Sequence, residues 1–267
     1  MKHIVCYSGG HSSAIVAIEV TRKYGKENVI LCNHECILED ADVERFEKEV
    51  ANYLGLPITY VSFEGHETKD QFDVVIEKGS FVNPKTRQAL CTSVMKTQPF
   101  MEWLKIIPGE FIVYYGFDKN EPNRITRRSS IMAANGYKTD YPLVWSERTI
   151  FETTEIGIKR PNLYSVFKHA NCIGCLKGGM QHWYVVYCER KDIFEKAIKT
   201  EEEIGYSIIK NNFLIDLKPK FAEMQRLGIK PTEHINQGKF WRDSKKKLAG
   251  VMQFDFEIDI KPCECVF

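Results

Sequence analysis

The run His3-Ile4-Val5-Cys6-Tyr7-Ser8-Gly9-Gly10-His11-Ser12-Ser13-Ala14-Ile15 decides the fold class. His3 to Tyr7 is a short, largely apolar stretch of the kind that forms a strand buried on both faces. The six residues after it are small and polar. Ala14, Ile15 and Ile18 then return at helical spacing, with Glu19, Arg22 and Lys23 opposite them. Glycine in such a loop lets the backbone approach a ligand, and the unpaired N–H groups and dipole of a helix start favour an anion. Ser8, Gly9, Gly10, His11, Ser12 and Ser13 are therefore a candidate phosphate cradle; the alternative is a plain turn built from turn-forming residues. The loop is neither G-x-x-x-x-G-K-[ST] nor G-x-G-x-x-G.

Outward from that unit, Asn28 to Glu35 reads as a second apolar strand. Asp40 can cap a helix carrying Val43, Phe46, Val50 and Leu54 on one stripe, and Ile58 to Phe63 reads as a third strand. Strands alternating with helices predict an α/β fold with a doubly wound, mostly parallel, Rossmann-like sheet. The pattern weakens from Glu64 to Leu90 to a loop or lid with one helix near Phe72 to Ile76. It resumes with a helix around Val94 to Leu104, a strand Phe111 to Phe117, a basic segment Asn123 to Ser130 leading into a helix, an edge strand Asp140 to Trp145, and a further helix capped by Ser146. From Gly178 the reading is mostly helical, with an amphipathic stretch at Ile193 to Ile204. This predicts a nucleotide-binding α/β domain with a cysteine site over residues 1–177 and a helical extension over 178–267.

With 267 residues, 43% hydrophobic and 27% charged, the composition is that of a globular protein rather than a disordered, collagenous or membrane one. Thirty-seven basic against 36 acidic residues leave a formal charge of +1, so no bulk polycation marks a nucleic-acid or membrane binder; a local patch such as Arg242 to Lys247 stays open. The first residues lack the apolar stretch of a signal peptide, and no run approaches the roughly 18 apolar residues of a spanning helix. A cytoplasmic protein with no membrane partner is expected. In a reducing compartment, nine cysteines shift the odds toward metal, cluster or redox use.

Cys172-Ile173-Gly174-Cys175 sets two thiols within one turn, the spacing for zinc, an iron–sulfur cluster or a redox disulfide. Cys91 is the leading third ligand; the alternative is that all three are inert core thiols. Arg124, Arg127 and Arg128 follow a strand end at Gly116-Phe117-Asp118, where open sheets bind ligands, and guanidinium forks suit phosphate or sulfate oxygens; the alternative is a solvated helix face. Asn33 and Glu35 end the second strand, where they meet a nucleotide or Mg²⁺ or only terminate the strand. His66, His169, His182 and His234 read as surface or satisfied core histidines, since none has H-E-x-x-H spacing.

Several of these stations in order resemble the PP-loop superfamily of adenine nucleotide alpha hydrolases, in its phosphoadenosine phosphosulfate (PAPS) reductase-like branch. Ser8-Gly9-Gly10-His11-Ser12 is similar to the PP-loop S-G-G-x-[ST]-S. Cys91-Thr92-Ser93-Val94-Met95-Lys96-Thr97-Gln98-Pro99 is similar to C-x-x-x-x-K-x-x-P, and Gly116 to Glu121 with Arg124 and Arg127 is similar to G-x-R-x-x-E-x-x-R. Tyr141 to Glu147, Pro161-Asn162-Leu163-Tyr164 and Cys172 to Cys175 resemble P-L-x-x-W-[ST]-E, N-P-L-Y and G-C-x-x-C. The resemblance covers roughly residues 3 to 205.

The resemblance implies that Ser8 to Ser13, Asn33, Glu35 and Lys96 bind ATP with Mg²⁺, or PAPS or adenylyl sulfate (APS) as substrate. It implies further that Arg124 or Arg127 steadies phosphoryl oxygens, and that Cys91, Cys172 and Cys175 hold a 4Fe-4S cluster, with zinc as the alternative. The first reading is ATP-dependent adenylation of a nucleobase, nucleic-acid or related acceptor with pyrophosphate release, followed by sulfur transfer from a sulfur donor protein. The second is a thiol-dependent PAPS or APS reductase, in which Cys265 attacks sulfur, sulfite is released and a thioredoxin-like partner resolves the enzyme. The third is a non-enzymatic nucleotide-binding module with a structural zinc. The chain departs from the reductases in carrying Leu90-Cys91-Thr92 where they have a tandem Cys-Cys, and in ending Glu264-Cys265-Val266-Phe267 instead of E-C-G-[IL]-H. A homodimer stays open.

Overall fold

The computed structural model describes residues 1–34, 37–85, 88–170 and 172–249. In chain order the elements are β1 (Lys2–Cys6), α1 (His11–Tyr24), β2 (Val29–Asn33), α2 (Ala41–Leu54), β3 (Ile58–Tyr60), α3 (Gln71–Lys78), α4 (Leu90–Thr92), α5 (Gln98–Ile106), β4 (Phe111–Tyr114), α6 (Pro122–Ala134), β5 (Lys138–Asp140), α7 (Met180–Glu189), α8 (Lys191–Ile204), α9 (Leu214–Arg226) and α10 (Gln237–Leu248). They group into two compact units, each assembled from separated stretches of chain. The first comprises the described parts of Met1–Glu35, Asp40–Phe63 and Gln98–Asn162; the second, those of Cys36–Glu39, Glu64–Thr97 and Leu163–Phe267. The cysteine segments fall in the second, so this grouping runs differently from a single boundary at 177.

The first unit is built on a five-stranded, all-parallel sheet of order β3-β2-β1-β4-β5. This is the α/β architecture expected of alternating strands and helices, and it is Rossmann-like. Register runs from His3 opposite Val29 and from Lys2 opposite Phe111, so β1 lies at the centre. The apolar run of β1 is buried from His3 to Cys6 because helices cover both faces of a parallel sheet. Val5, Tyr7, Leu31 and Tyr114 pack with Ala14, Ile15 and Ile18 of α1 and with Phe46 and Val50 of α2 in one core cluster. Asp40 caps α2 through its carboxylate, which accepts from the Asp42 N–H, and Gly55 ends that helix in the left-handed region.

Four sequence expectations need correction here. Asn123 to Ser130 does not lead into a helix but is one, opened by Pro122 in the first turn. Asp140 to Trp145 is not a strand: β5 stops at Asp140, and Pro142, with no N–H to give a ladder, begins a 3-10 turn through Val144. Ser146 caps no α-helix, and the next element is the 3-10 turn Thr153–Ile156, boxed by Glu152 and Glu155. Glu19 lies buried rather than on the solvent side of α1, because its carboxylate accepts from the N–H groups of Thr149 at 2.5 Å and Ile150 at 2.8 Å.

The second unit is helical. Asp70 and Asp73 form a capping box at the start of α3, and Lys196 of α8 donates to both carboxylates. The helix expected over Val94 to Leu104 begins instead as a widened π turn, Ser93–Thr97, and its continuation, α5, belongs to the first unit. Pro99 has no N–H to return to the preceding turn, a sufficient reason for the ladder to change there. Trp183, Tyr184, Phe194, Phe221, Phe240 and Trp241 fill the packing of α7 to α10. Among the described residues no helix is long and apolar enough to cross a membrane.

Candidate functional site

In the first unit the chain leaves β1 toward β2 and β3 on one side, while β4 and β5 lie on the other. The crevice outside the carboxyl ends of β1 and β4 is therefore the switch point at which open α/β sheets receive ligands. Two loops meet there. Gly9 takes φ +69°, turning the chain out of β1 sharply enough to start α1 two residues later. A Cβ on Gly116 would lie 3.2 Å from the Ser12 carbonyl carbon and the Ser13 nitrogen, a tight contact that glycine relieves where the loop after β4 meets the first turn of α1.

That first turn is uncapped by any side chain: Gly10 is the N-cap, and no acidic residue sits among the next positions. The Ser13 hydroxyl donates to the Gly10 carbonyl at 2.8 Å and accepts from the Ser8 N–H at 3.2 Å, so it ties the loop together from inside. Ser12 faces solvent. His11 is held neutral near pH 7, its pKa brought from 6.5 down to about 4 chiefly by burial. The Arg160 and Arg148 charges add to the shift, and Glu152, whose carboxylate is 3.3 Å from Nε2, opposes it.

The strand-end residues are arranged differently from one another. Asn33 is buried, its amide donating to Glu47 of α2 and its carbonyl oxygen accepting from the His34 N–H at 2.6 Å. This closes the end of β2. Glu35 lies outside the described residues. Arg124 pairs with Glu121, three residues earlier, and lies over the Phe117 ring at 4.3 Å; Arg127 is exposed. Phe117, Tyr115 and Tyr141 stack with centroids 5.7 to 6.2 Å apart and are too buried to act as an open base-stacking platform.

In the second unit, Cys91 and Cys172 pack against the same small core of Val74, Val94 and Met95, and Cys175 is buried. The loop between Cys172 and Cys175 is held by its backbone. Gln71 donates to the carbonyls of Ile173 at 2.9 Å and Gly174 at 3.3 Å, and the Ile173 N–H donates to Leu38 at 3.0 Å. The Cys175 N–H donates to His182 Nε2 at 3.1 Å, which fixes the tautomer: Nδ1 carries the proton and donates to Glu233 at 2.6 Å. Burial alone would raise the Glu233 pKa, but the His182 contact overrides it and the carboxyl stays below its ordinary range. Lys96 is half-buried in the π turn. Among the described residues no three His, Cys, Asp or Glu side chains form a group that could hold a metal ion. Cys265 lies outside them.

Among the described residues the other thiols are Cys6 and Cys32, both buried, and the half-buried Cys188. Burial pushes Cys6 up to about 12 and raises Cys32 and Cys188, so none of the three is a thiolate near neutral pH. No protein-family model matches the chain, and no curated protein matches it in sequence.

Sequence reading passed over Glu47, Gln71 and Glu233. Glu47 carried a signal: it lies four residues after Val43 and three before Val50, on the apolar stripe of α2, where a carboxylate must find a buried partner. Gln71 and Glu233 carried none, because their partners are 102 and 51 residues away.

Proposed function

We propose that the chain is a nucleotide-binding enzyme whose loop after β1 seats the oxyanion end of an adenine nucleotide. The observation that carries this is the start of α1: an N-terminus with a glycine N-cap and no side-chain cap, at the switch point of a parallel sheet. Its N–H groups and dipole stabilise charge that builds on phosphoryl oxygens as a bond to phosphorus breaks.

With the PP-loop resemblance, the reading becomes ATP-dependent adenylation. An acceptor oxygen attacks the α-phosphorus, the bond to the β-phosphate oxygen breaks, and pyrophosphate leaves with the electron pair. The acceptor now carries AMP, which a sulfur nucleophile displaces. Mg²⁺ carried in with ATP would offset the pyrophosphate charge. Because the described residues gather no three-donor group, no step runs through a cluster or zinc. Sulfur delivery involving Cys91, Cys172 and Cys175 is the part tested separately, by iron, zinc and sulfide analysis of anaerobically purified protein and of Cys172→Ala.

Thermal unfolding with and without ATP tests the nucleotide seat, using Gly10→Asp to place a carboxylate where the anion should sit. The wild type should be stabilised and the variant should not. An ATP response equal in both proteins would overturn the reading. Formation of AMP and pyrophosphate on adding candidate acceptors then tests the chemistry, while sulfite released from APS or PAPS without ATP turnover would transfer the reading to the reductase class.

A further inference from the structure

Arg128, in the second turn of α6, is 4% exposed. Its guanidinium lies 5.1 Å from the centre of the Tyr115 ring, close enough to the Cys6 thiol for its charge to act on both groups. No carboxylate of the described residues pairs with it, and its Nε is shut from solvent without a hydrogen-bond partner. The two flanking residues it meets do not supply a counter-charge. Burial pushes the Cys6 thiol up to about 12 and the Tyr115 hydroxyl well above its ordinary value, and the nearby guanidinium only partly offsets this. Both are neutral at pH 7. A buried guanidinium with no carboxylate partner among the described residues is costly, and such charges are otherwise paired or hydrogen-bonded.

Its place in the sheet gives the cost a use. Val5, Tyr7 and Tyr114 pack with α1, so Cys6 and Tyr115, which alternate with them along the strands, face the opposite side. Cys6 is the last residue of β1, and Tyr115 directly follows β4. Arg128 thus stands at the carboxyl edge of the two central strands, across the sheet from the uncapped start of α1.

We infer that Arg128 holds a second oxyanion, a phosphate- or sulfate-type group, on the β4 side of the crevice. A planar fork of donors matches two oxygens of such a group, and the anion supplies the charge that Cys6 and Tyr115 cannot. This deepens the nucleotide reading and rests on it for the ligand's identity, but not for the existence of the site.

The test is thermal unfolding of wild type, Arg128→Met and Arg128→Lys in sulfate against chloride of equal ionic strength, then in ATP. Wild type should gain stability from sulfate beyond chloride. Arg128→Met should start above wild type in chloride, because an unpaired buried charge has gone, and should bind sulfate about tenfold or more weakly. Arg128→Lys, with one point charge in place of a fork, should keep part of the response. A Met variant that responds to sulfate like wild type overturns the inference. So does one that is less stable in chloride or fails to fold, since the guanidinium would then be a structural member of the core; so does a wild type indifferent to sulfate. Where Arg128→Met loses the sulfate response and the ATP response together, the site is supported and the oxyanion belongs to the nucleotide. Where it loses only the sulfate response, the site is supported and a separate anion or second substrate occupies it. An ATP response that survives in Gly10→Asp sinks the nucleotide reading alone, leaving the sulfate comparison to decide Arg128.

Discussion

Two short glycine loops carry candidate site residues of this chain, and their backbones are engaged differently. The loop after β1 leaves the start of α1 without a side-chain cap, and its internal bonds, from Ser13 to Gly10 and Ser8, only shape it. The loop between Cys172 and Cys175 has its carbonyls held by Gln71, one N–H taken by Leu38 and another by His182. An open backbone is a seat for something that arrives, whereas a clamped backbone fixes the side chains it already carries. The difference separates an uncapped helix start from a loop whose backbone is already engaged, although both segments look alike as short runs of glycine and small polar or thiol residues.

The comparison breaks most readily at Gly174. Its φ is +75°, and a Cβ there would lie 2.6 Å from the Ile193 side chain, so Gly174→Ala should cost about 3 kcal/mol in denaturant unfolding and raise the thiol reactivity of Cys172. An unchanged midpoint would show that the loop is not clamped. Gln71→Leu should be milder, about 2 kcal/mol, because it leaves two carbonyls without their donor, and it should not alter the response to ATP. Loss of ATP response in that variant would erase the division of labour between the loops. Ser13→Ala should cost only about 1 kcal/mol, yet it should weaken ATP binding, since the hydroxyl shapes the open loop. Unchanged ATP affinity would show that the loop holds its shape without this tie.

A further effect is one of pH, and it has opposite signs in the two units. His11 has a folded pKa of about 4 against an ordinary 6.5, so the unfolded chain binds the extra proton in that window and stability rises with pH across it. Glu201, raised by burial to about 7 although the Leu214 and Ile208 N–H groups oppose the shift, keeps its proton in the folded state after the unfolded chain has lost it. Its contribution therefore falls as pH climbs from 4.5 to about 7. Glu201→Gln should remove that decline and leave a steeper net rise due to His11; a stability profile unmoved by the substitution would show that Glu201 titrates normally.

The fold was legible where period and punctuation agreed. Asp40 and Gly55 bracket α2, an apolar run names β1, and amphipathic spacing names α8. It was illegible where one residue changes a backbone's options, as Pro142 does after β5 and Pro99 does in the first turn of α5. The candidate site was legible as a location, since a glycine loop after the first strand of a βα unit must lie at the sheet's carboxyl edge.

The sequence by itself determined the parallel α/β sheet and the position of the loop after β1, because both follow from local patterns and the short connections that join them. Only the tertiary structure decided which polar residues are already engaged. Asn33 is turned inward to Glu47, Arg124 is paired with Glu121, the Cys172 to Cys175 loop hangs on Gln71 and His182, and Arg128 is buried beside neutral Cys6 and Tyr115. Whether a polar side chain is engaged depends on what lies within about 3 Å of it, and long-range packing sets that distance.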